Sequence, residues 1–243
     1  FEDFVFSNGA VKEGLFHGGE EAEDPVEKKR LELKSTSLTL DKSGSVRTQI
    51  SDLPKIDKPV EILGELEYRD PNGEIQTVSA RIPLWPARWV VGINPDSWAL
   101  SKESLKFQVA VADLKGKPVP EASVIVDLYE QKTYSHRKRL VGGFYAYEHS
   151  SEVKKLQKLC EGKTNQKGLL TCEATSPVSG NVILQASVKD SSGLETTTHQ
   201  EVWVAGENQQ WFKAADDDRI DVLPERKRYE VGEKARFQVR MPF

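Results

Sequence analysis

Cys160 and Cys172 are the two thiols in a chain of 243 residues, and thiolates are the most reactive groups the sequence could offer. They stand symmetrically about Gln166, with turn-forming residues 165–168 between them. A hairpin closed there would set them on neighbouring strands, at a separation compatible with a disulfide. Two free thiols, or a metal or catalytic site, are the alternatives. A bridge across so short a loop would contribute roughly 2–3 kcal/mol in the chain-entropy picture, and it would imply an oxidising compartment such as the periplasm. Two cysteines are too few for a disulfide scaffold or a four-ligand zinc site.

The other candidates for chemistry lead to unreactive readings. His17, His136, His149 and His199 are scattered and share no metal-ligand spacing, so they read as surface or edge-strand positions. No Gly-x-Ser-x-Gly elbow occurs, and the pairs Gly18-Gly19 and Gly142-Gly143 lack the lysine and helix of a phosphate loop. The acidic stretch 18–25 does not space its carboxylates alternately as a calcium loop does, and it reads as a solvated loop. We therefore expect no catalytic residue, no metal ligand and no cofactor.

One charge feature stands apart. Residues 132–167 hold nine basic side chains, Lys132, Arg137, Lys138, Arg139, Lys154, Lys155, Lys158, Lys163 and Lys167, against three acids, a local net of +6. The whole chain carries −4, so the remainder carries −10. With Tyr134, Phe144, Tyr145 and Tyr147 interleaved, Arg137, Lys138, Arg139, Lys154, Lys155 and Lys158 form a candidate face for an acidic partner, anionic lipid or nucleic acid. The competing reading is a solvated sheet face or a docking surface for another domain of the same protein. The overall charge argues against a dedicated nucleic-acid binder.

The elements that must position these residues read as strands. Leu105, Phe107, Val109 and Val111 alternate with their neighbours, as do Val124, Val126 and Leu128, the period of a sheet with one buried face. Further strands are predicted at 31–40, 46–50, 60–68, 77–85, 138–147, 169–174, 181–189, 196–205 and 235–241. Residues 151–159 could form a short helix or a strand. Core positions are expected at Trp89, Phe107, Val109, Val124 and Val126. No run approaches the ~20 apolar residues of a membrane-spanning helix, and residues 1–15 lack the pattern of a signal peptide.

An internal repeat divides this all-β pattern. The strand, Asp-x-x-Gly turn and strand at 60–77 recur in outline at 182–196, and Lys106-Phe-Gln-Val109 is echoed by Arg236-Phe-Gln-Val239. The chain reads as tandem antiparallel β-sandwiches: an N-terminally truncated one at 1–87, a complete one at 88–206, and a linker with the first strands of a third at 207–243. Residues 85–86 and 203–218 are the expected hinges. Cut sandwiches leave unpaired edges, so residues 218–241 could add strands to the incomplete first sandwich of a neighbouring molecule.

Several motifs resemble one family. Residues 218–239, with Tyr229-Glu-Val-Gly232-Glu, look like the opening of the bait-region domain of bacterial α2-macroglobulins. The Gly116-Lys-Pro-Val-Pro-Glu-Ala122 turn, the stretch 135–147 and Trp203-Val-Ala-Gly206 are similar to macroglobulin-like domains of the thioester-lacking periplasmic branch. The resemblance implies a non-catalytic scaffold fragment of a broad-spectrum endopeptidase inhibitor, in which a protease cuts a bait segment and the surrounding domains enclose it. Its implied partners are host or competitor proteases, met through the full-length protein, and neighbouring macroglobulin domains. It implies no nucleic acid and a periplasmic location, with any membrane attachment through an anchor outside this stretch. Cys160-Glu-Gly and Cys172-Glu-Ala depart from the Cys-x-Glu-Gln thioester of other members. The alternative is an Ig-like repeat segment of a bacterial surface adhesin, and a more distant one is a carbohydrate-binding module.

Overall fold

A computed structural model of the chain describes residues 1, 3–17, 35–51, 53–97, 99–102, 104–139, 145–205, 221–224, 230–235 and 237–240. Every regular element among them is a β-strand: β1 (Val5–Phe6), β2 (Gly14–His17), β3 (Val60–Arg69), β4 (Ile75–Leu84), β5 (Trp89–Pro95), β6 (Ala99–Ser101), β7 (Leu105–Asp113), β8 (Ser123–Arg139), β9 (Tyr145–Lys163), β10 (Leu169–Ala174), β11 (Gly180–Lys189), β12 (Glu195–Ala205), β13 (Asp221–Pro224) and β14 (Phe237–Arg240). The expected all-β, antiparallel class is what the backbone adopts.

Two sheets face each other, one ordered β1-β5-β7-β10 and the other β2-β9-β8-β11-β12-β6. Every pairing in them is antiparallel except the short β6–β12 contact. The alternation read from the sequence is the reason they pack. Val91, Ile93, Phe107, Val109, Val124, Val126, Leu128, Val182, Leu184 and Val204 are all fully buried in one cluster between the sheets, and Trp89 packs against its margin. Burying each such side chain is worth roughly 1.5–3 kcal/mol.

A single turn design recurs along the chain. At Asp41, Asp70, Asp113, Asn165 and Asp190, the side-chain Oδ1 accepts the N–H groups two and four residues on. The glycine three residues on donates to the carbonyl of the first residue. The backbone ladder thus resumes without an unsatisfied donor, which is the gain of an Asx-type turn.

Several expectations change. Residues 1–17, grouped with 18–87 in the sequence reading, pair elsewhere: β1 joins β5, and β2 joins β9. Between them the chain forms a strap. Ser7, buried and at φ 44°, turns the backbone, and its hydroxyl meets that of Thr196 at 3.2 Å. Asn8 then brackets His199, donating to its carbonyl at 2.9 Å and accepting its N–H at 2.8 Å. Val11 donates to buried Gln185 at 2.6 Å, and with Phe16 it packs over Tyr129, Val153 and Ile183 on the outer face of the larger sheet. Residues 10–13 link Gly9, held against β12, to Gly14 at the start of β2 beside β9.

Residues 35–50 carry an Asx turn but no strand, although 31–40 and 46–50 were expected to form two; residues 31–34 lie outside the described part. Residues 151–159 are strand, inside the long β9. The segment 138–147 is not one strand. It holds the end of β8 and the start of β9, with 140–144 outside the described residues. Trp203 lies within β12 rather than in a hinge, and the remaining expected hinge residues 206–218 fall outside the described part.

Candidate interaction surface

The basic residues sit on the β8–β9 hairpin. β11 pairs β8 only as far as Glu130, whereas β8 and β9 continue together to Arg139 and Tyr145. The nine residues 131–139 carry the hairpin ~30 Å past the ladder with β11. Arg137, Lys138 and Arg139 occupy its outer end, opposite Tyr147, Ala146 and Tyr145; their side chains lie outside the described part.

The lysines do not form one face. Lys154 stands opposite Glu130 and Lys155 opposite Tyr129, so consecutive side chains leave opposite sides of the sheet. Two β-bulges in this pairing, after Val126 and Leu128, let Leu156 and Leu159 turn inward against the core. Acids meet the cations across the pairing and along each strand: Lys155 of β9 pairs with Asp127 of β8 at 2.6 Å and Lys163 with Glu121, just before β8, at 3.5 Å, while Lys132 pairs with Glu130 on β8 itself at 3.1 Å and Lys158 with Glu161 on β9. The hydrogen bond to Asp127 raises the Lys155 pKa above the ordinary lysine value, and the bond to Glu130 does the same for Lys132. Tyr134 donates to Glu152 at 3.0 Å, which raises the phenol's pKa in turn.

The local +6 is therefore largely compensated along the described part of the hairpin. Sequence counting missed Asp127, Glu130 and Glu121 because they precede the basic segment; Asp127 and Glu121 reach their lysines through the β8–β9 pairing, and Glu130 reaches Lys132 along β8. Ser135 and His149 meet at 2.8 Å from directly opposed positions, an ordinary cross-strand contact on an exposed arm. No group of three or more His, Cys, Asp or Glu side chains among the described residues could hold a metal ion.

The structure bonds Cys160 to Cys172, with Cα atoms 6.2 Å apart, inside the usual span for a disulfide. The bond does not cross a hairpin ladder, as symmetric pairing would have it. β9 stays in the larger sheet, where Cys160 opposes Val126; β10 joins the smaller sheet, where Cys172 opposes Phe107. Buried Thr164 parts them: its hydroxyl accepts the Ala122 N–H at 3.0 Å and donates to the Val119 carbonyl at 2.7 Å. Gly168 then presses onto β7, accepting the Val111 N–H at 2.8 Å. The disulfide thus ties one sheet to the other.

These features define an all-β protein whose sandwich is stapled between its sheets by a disulfide. The likeness to bacterial α2-macroglobulins read from the motifs extends over most of the sequence: the chain is 23% identical over 203 residues, 84% of its length, to the alpha-2-macroglobulin homolog of Nostoc sp.. It spans 10% of that relative's length. No family model matches the chain. Solved structures similar to it include native E. coli alpha-2-macroglobulin, at TM-score 0.46 and 15% identity over 94% of this chain and 15% of that one. Salmonella alpha-2-macroglobulin reacted with methylamine aligns with 100% of this chain and 15% of its own, at TM-score 0.47 and 16% identity.

Proposed function

We propose that this chain is a non-catalytic scaffold segment of a bacterial α2-macroglobulin-like inhibitor of endopeptidases. The observation that carries the reading is the match to the Nostoc relative across 84% of the chain. In this reading residues 88–206, together with the strap, form one complete sandwich. Residues 18–87 belong to the preceding unit and 207–243 open the next one, towards the bait. The protein meets proteases as a whole and this segment meets its neighbouring domains. A location in the periplasm accords with the disulfide.

The sandwich suits a part that must hold its form while a neighbouring segment is cut: its two sheets are joined covalently at one side and strapped at the other. Limited proteolysis of the full-length protein, with the first cut mapped and the particle measured by small-angle scattering, tests the reading. A first cut shortly beyond residue 243 that changes the scattering profile is expected. An uncut, repetitive array of further sandwiches would instead favour the adhesin.

A further inference from the structure

The strap holds one of the two Asn-Gly pairs in the chain, Asn8-Gly9; the other is Asn72-Gly73. Such a pair can react with itself, because the glycine has no side chain to shield its nitrogen from the carboxamide before it. Once the glycine N–H loses its proton, the nitrogen attacks the asparagine Cγ and ammonia leaves, closing a succinimide ring. Water then opens the ring at either carbonyl, giving aspartate or isoaspartate. One water is consumed, one ammonia is released, and nothing is oxidised or reduced.

Docking of the strap engages both reacting groups. The Asn8 carboxamide stands in for a neighbouring strand at the edge of β12: Nδ2 donates to the His199 carbonyl at 2.9 Å, and Oδ1 accepts the His199 N–H at 2.8 Å. Gly9 is buried and donates its N–H to the Thr197 carbonyl at 3.3 Å, while its own carbonyl meets His199 Nδ1 at 2.9 Å. For the ring to close, the carboxamide must leave His199, and the Gly9 N–H must leave Thr197 and meet hydroxide. Both conditions are met together when this part of the strap lifts from β12.

The product does not fit the place of the reactant. Aspartate at position 8 still accepts the His199 N–H, but it has no donor for the His199 carbonyl. It sets a carboxylate oxygen where Nδ2 stands, 2.9 Å from that carbonyl oxygen. Isoaspartate also lengthens the backbone by one carbon between Ser7, held at Thr196, and Gly9, held at Thr197. A donor removed and an oxygen set against an oxygen both oppose redocking.

We propose that Asn8 is a deamidation site gated by the strap: it reacts in molecules whose strap has left β12, and the reaction then keeps the strap from returning. The strap is in this way a one-way record of its own opening, and its release uncovers the apolar patch of Tyr129, Val153 and Ile183 that Val11 and Phe16 cover. The device depends on the strap alone, whichever function the whole protein performs.

Ageing the oxidised protein in mildly alkaline buffer, with the asparagine, aspartate and isoaspartate forms of each peptide quantified by chromatography and mass spectrometry, tests this. A synthetic peptide of residues 1–17, which has no β12 to pair with, sets the ungated rate. Asn8 should react at least ~10-fold more slowly in the protein than in the peptide, as a segment open less than about a tenth of the time must. Glu13→Ala removes the acceptor of the Lys155 N–H from an exposed strap residue, and Gln185→Ala removes the acceptor of the Val11 N–H. Each should speed the reaction at Asn8 by ~5-fold or more and leave Asn72 unchanged. Asn8→Asp should speed amide exchange at Val11 by a similar factor while Val182, in the core, exchanges as in the parent. Equal rates at Asn8 in protein and peptide, a rate that neither variant raises, or exchange at Val11 untouched by Asn8→Asp would each overturn the proposal.

Discussion

Replacing Gly168 and Gly193 separately by alanine separates two demands that one turn design places on its glycine. Both occupy the same position of an Asx turn, at φ 71° and 78°. An alanine held in that region costs ~1–2 kcal/mol, partly offset by the ~0.4–1 kcal/mol that the smaller unfolded ensemble returns. Gly193 has open space where a Cβ would stand, so Gly193→Ala should cost about 1 kcal/mol. At Gly168 the Cβ would lie 2.5 Å from the Val111 carbonyl oxygen and 3.1 Å from both the Pro118 Cβ and the Val119 nitrogen. To relieve that contact β7 must retreat, which weakens the 2.8 Å bond from Val111 N–H to the Gly168 carbonyl and the 2.9 Å bond from Val119 N–H to the Val111 carbonyl. At about 1 kcal/mol each, added to the conformational cost, the Gly168→Ala loss comes to about 3 kcal/mol. The measurement is urea unfolding of the oxidised protein followed by tryptophan fluorescence, since Trp89 packs against the core. Equal losses in the two variants would refute the close-approach argument.

Three further outcomes are expected. The Cys160→Ser/Cys172→Ser variant should lose roughly 2–3 kcal/mol and show faster amide exchange in β9 and β10 than in β11, because the bond joins opposite sheets. Asp190 accepts the Arg88 N–H at 2.9 Å, and that bond, more than its own turn amides, holds its carboxyl below the usual carboxylate range. A depressed folded-state pKa supplies stability that is present above about pH 4 and drains as pH falls through the folded value, so the roughly 2–3 kcal/mol cost of Asp190→Ala at pH 7 should shrink in urea titrations below pH ~4. Gln185→Ala removes the acceptor of the Val11 N–H and the donor to the Tyr129 hydroxyl, and it should cost about 1–3 kcal/mol while speeding exchange at Val11 much more than at Val182.

The sandwich was legible where signals are local. The alternation in 105–111 and 124–128 marks strands whose inward residues are buried, and residues 169–174 coincide with β10. The Asp-x-x-Gly turns were readable for the same reason, since their bonds span at most four residues. The strap was not legible: Val5–Phe6 and Gly14–His17 are short, and their partners lie some 85 to 190 residues away, so no periodicity marks them. Residues 46–50 alternate as a strand should, yet form none, because alternation supplies a face and not a ladder partner. The basic face failed as a single surface for a related reason. A charge count over 132–167 cannot include Asp127 or Glu121, which meet Lys155 and Lys163 only once β8 and β9 pair.

The strap also sets an order of events in time. Asn8 and His199 are 191 residues apart, so at a synthesis rate of about 5–20 residues per second the amino-terminal arm waits roughly 10–40 s for the strand that receives it. The strap is made before the strands that receive it, and until it docks the outer face at Tyr129 and Ile183 and the outer edge of β9 stay open to other chains. Once it docks, both ends of the segment between β2 and β5 are anchored in one sandwich, so the β3–β4 hairpin is tethered to it from both sides.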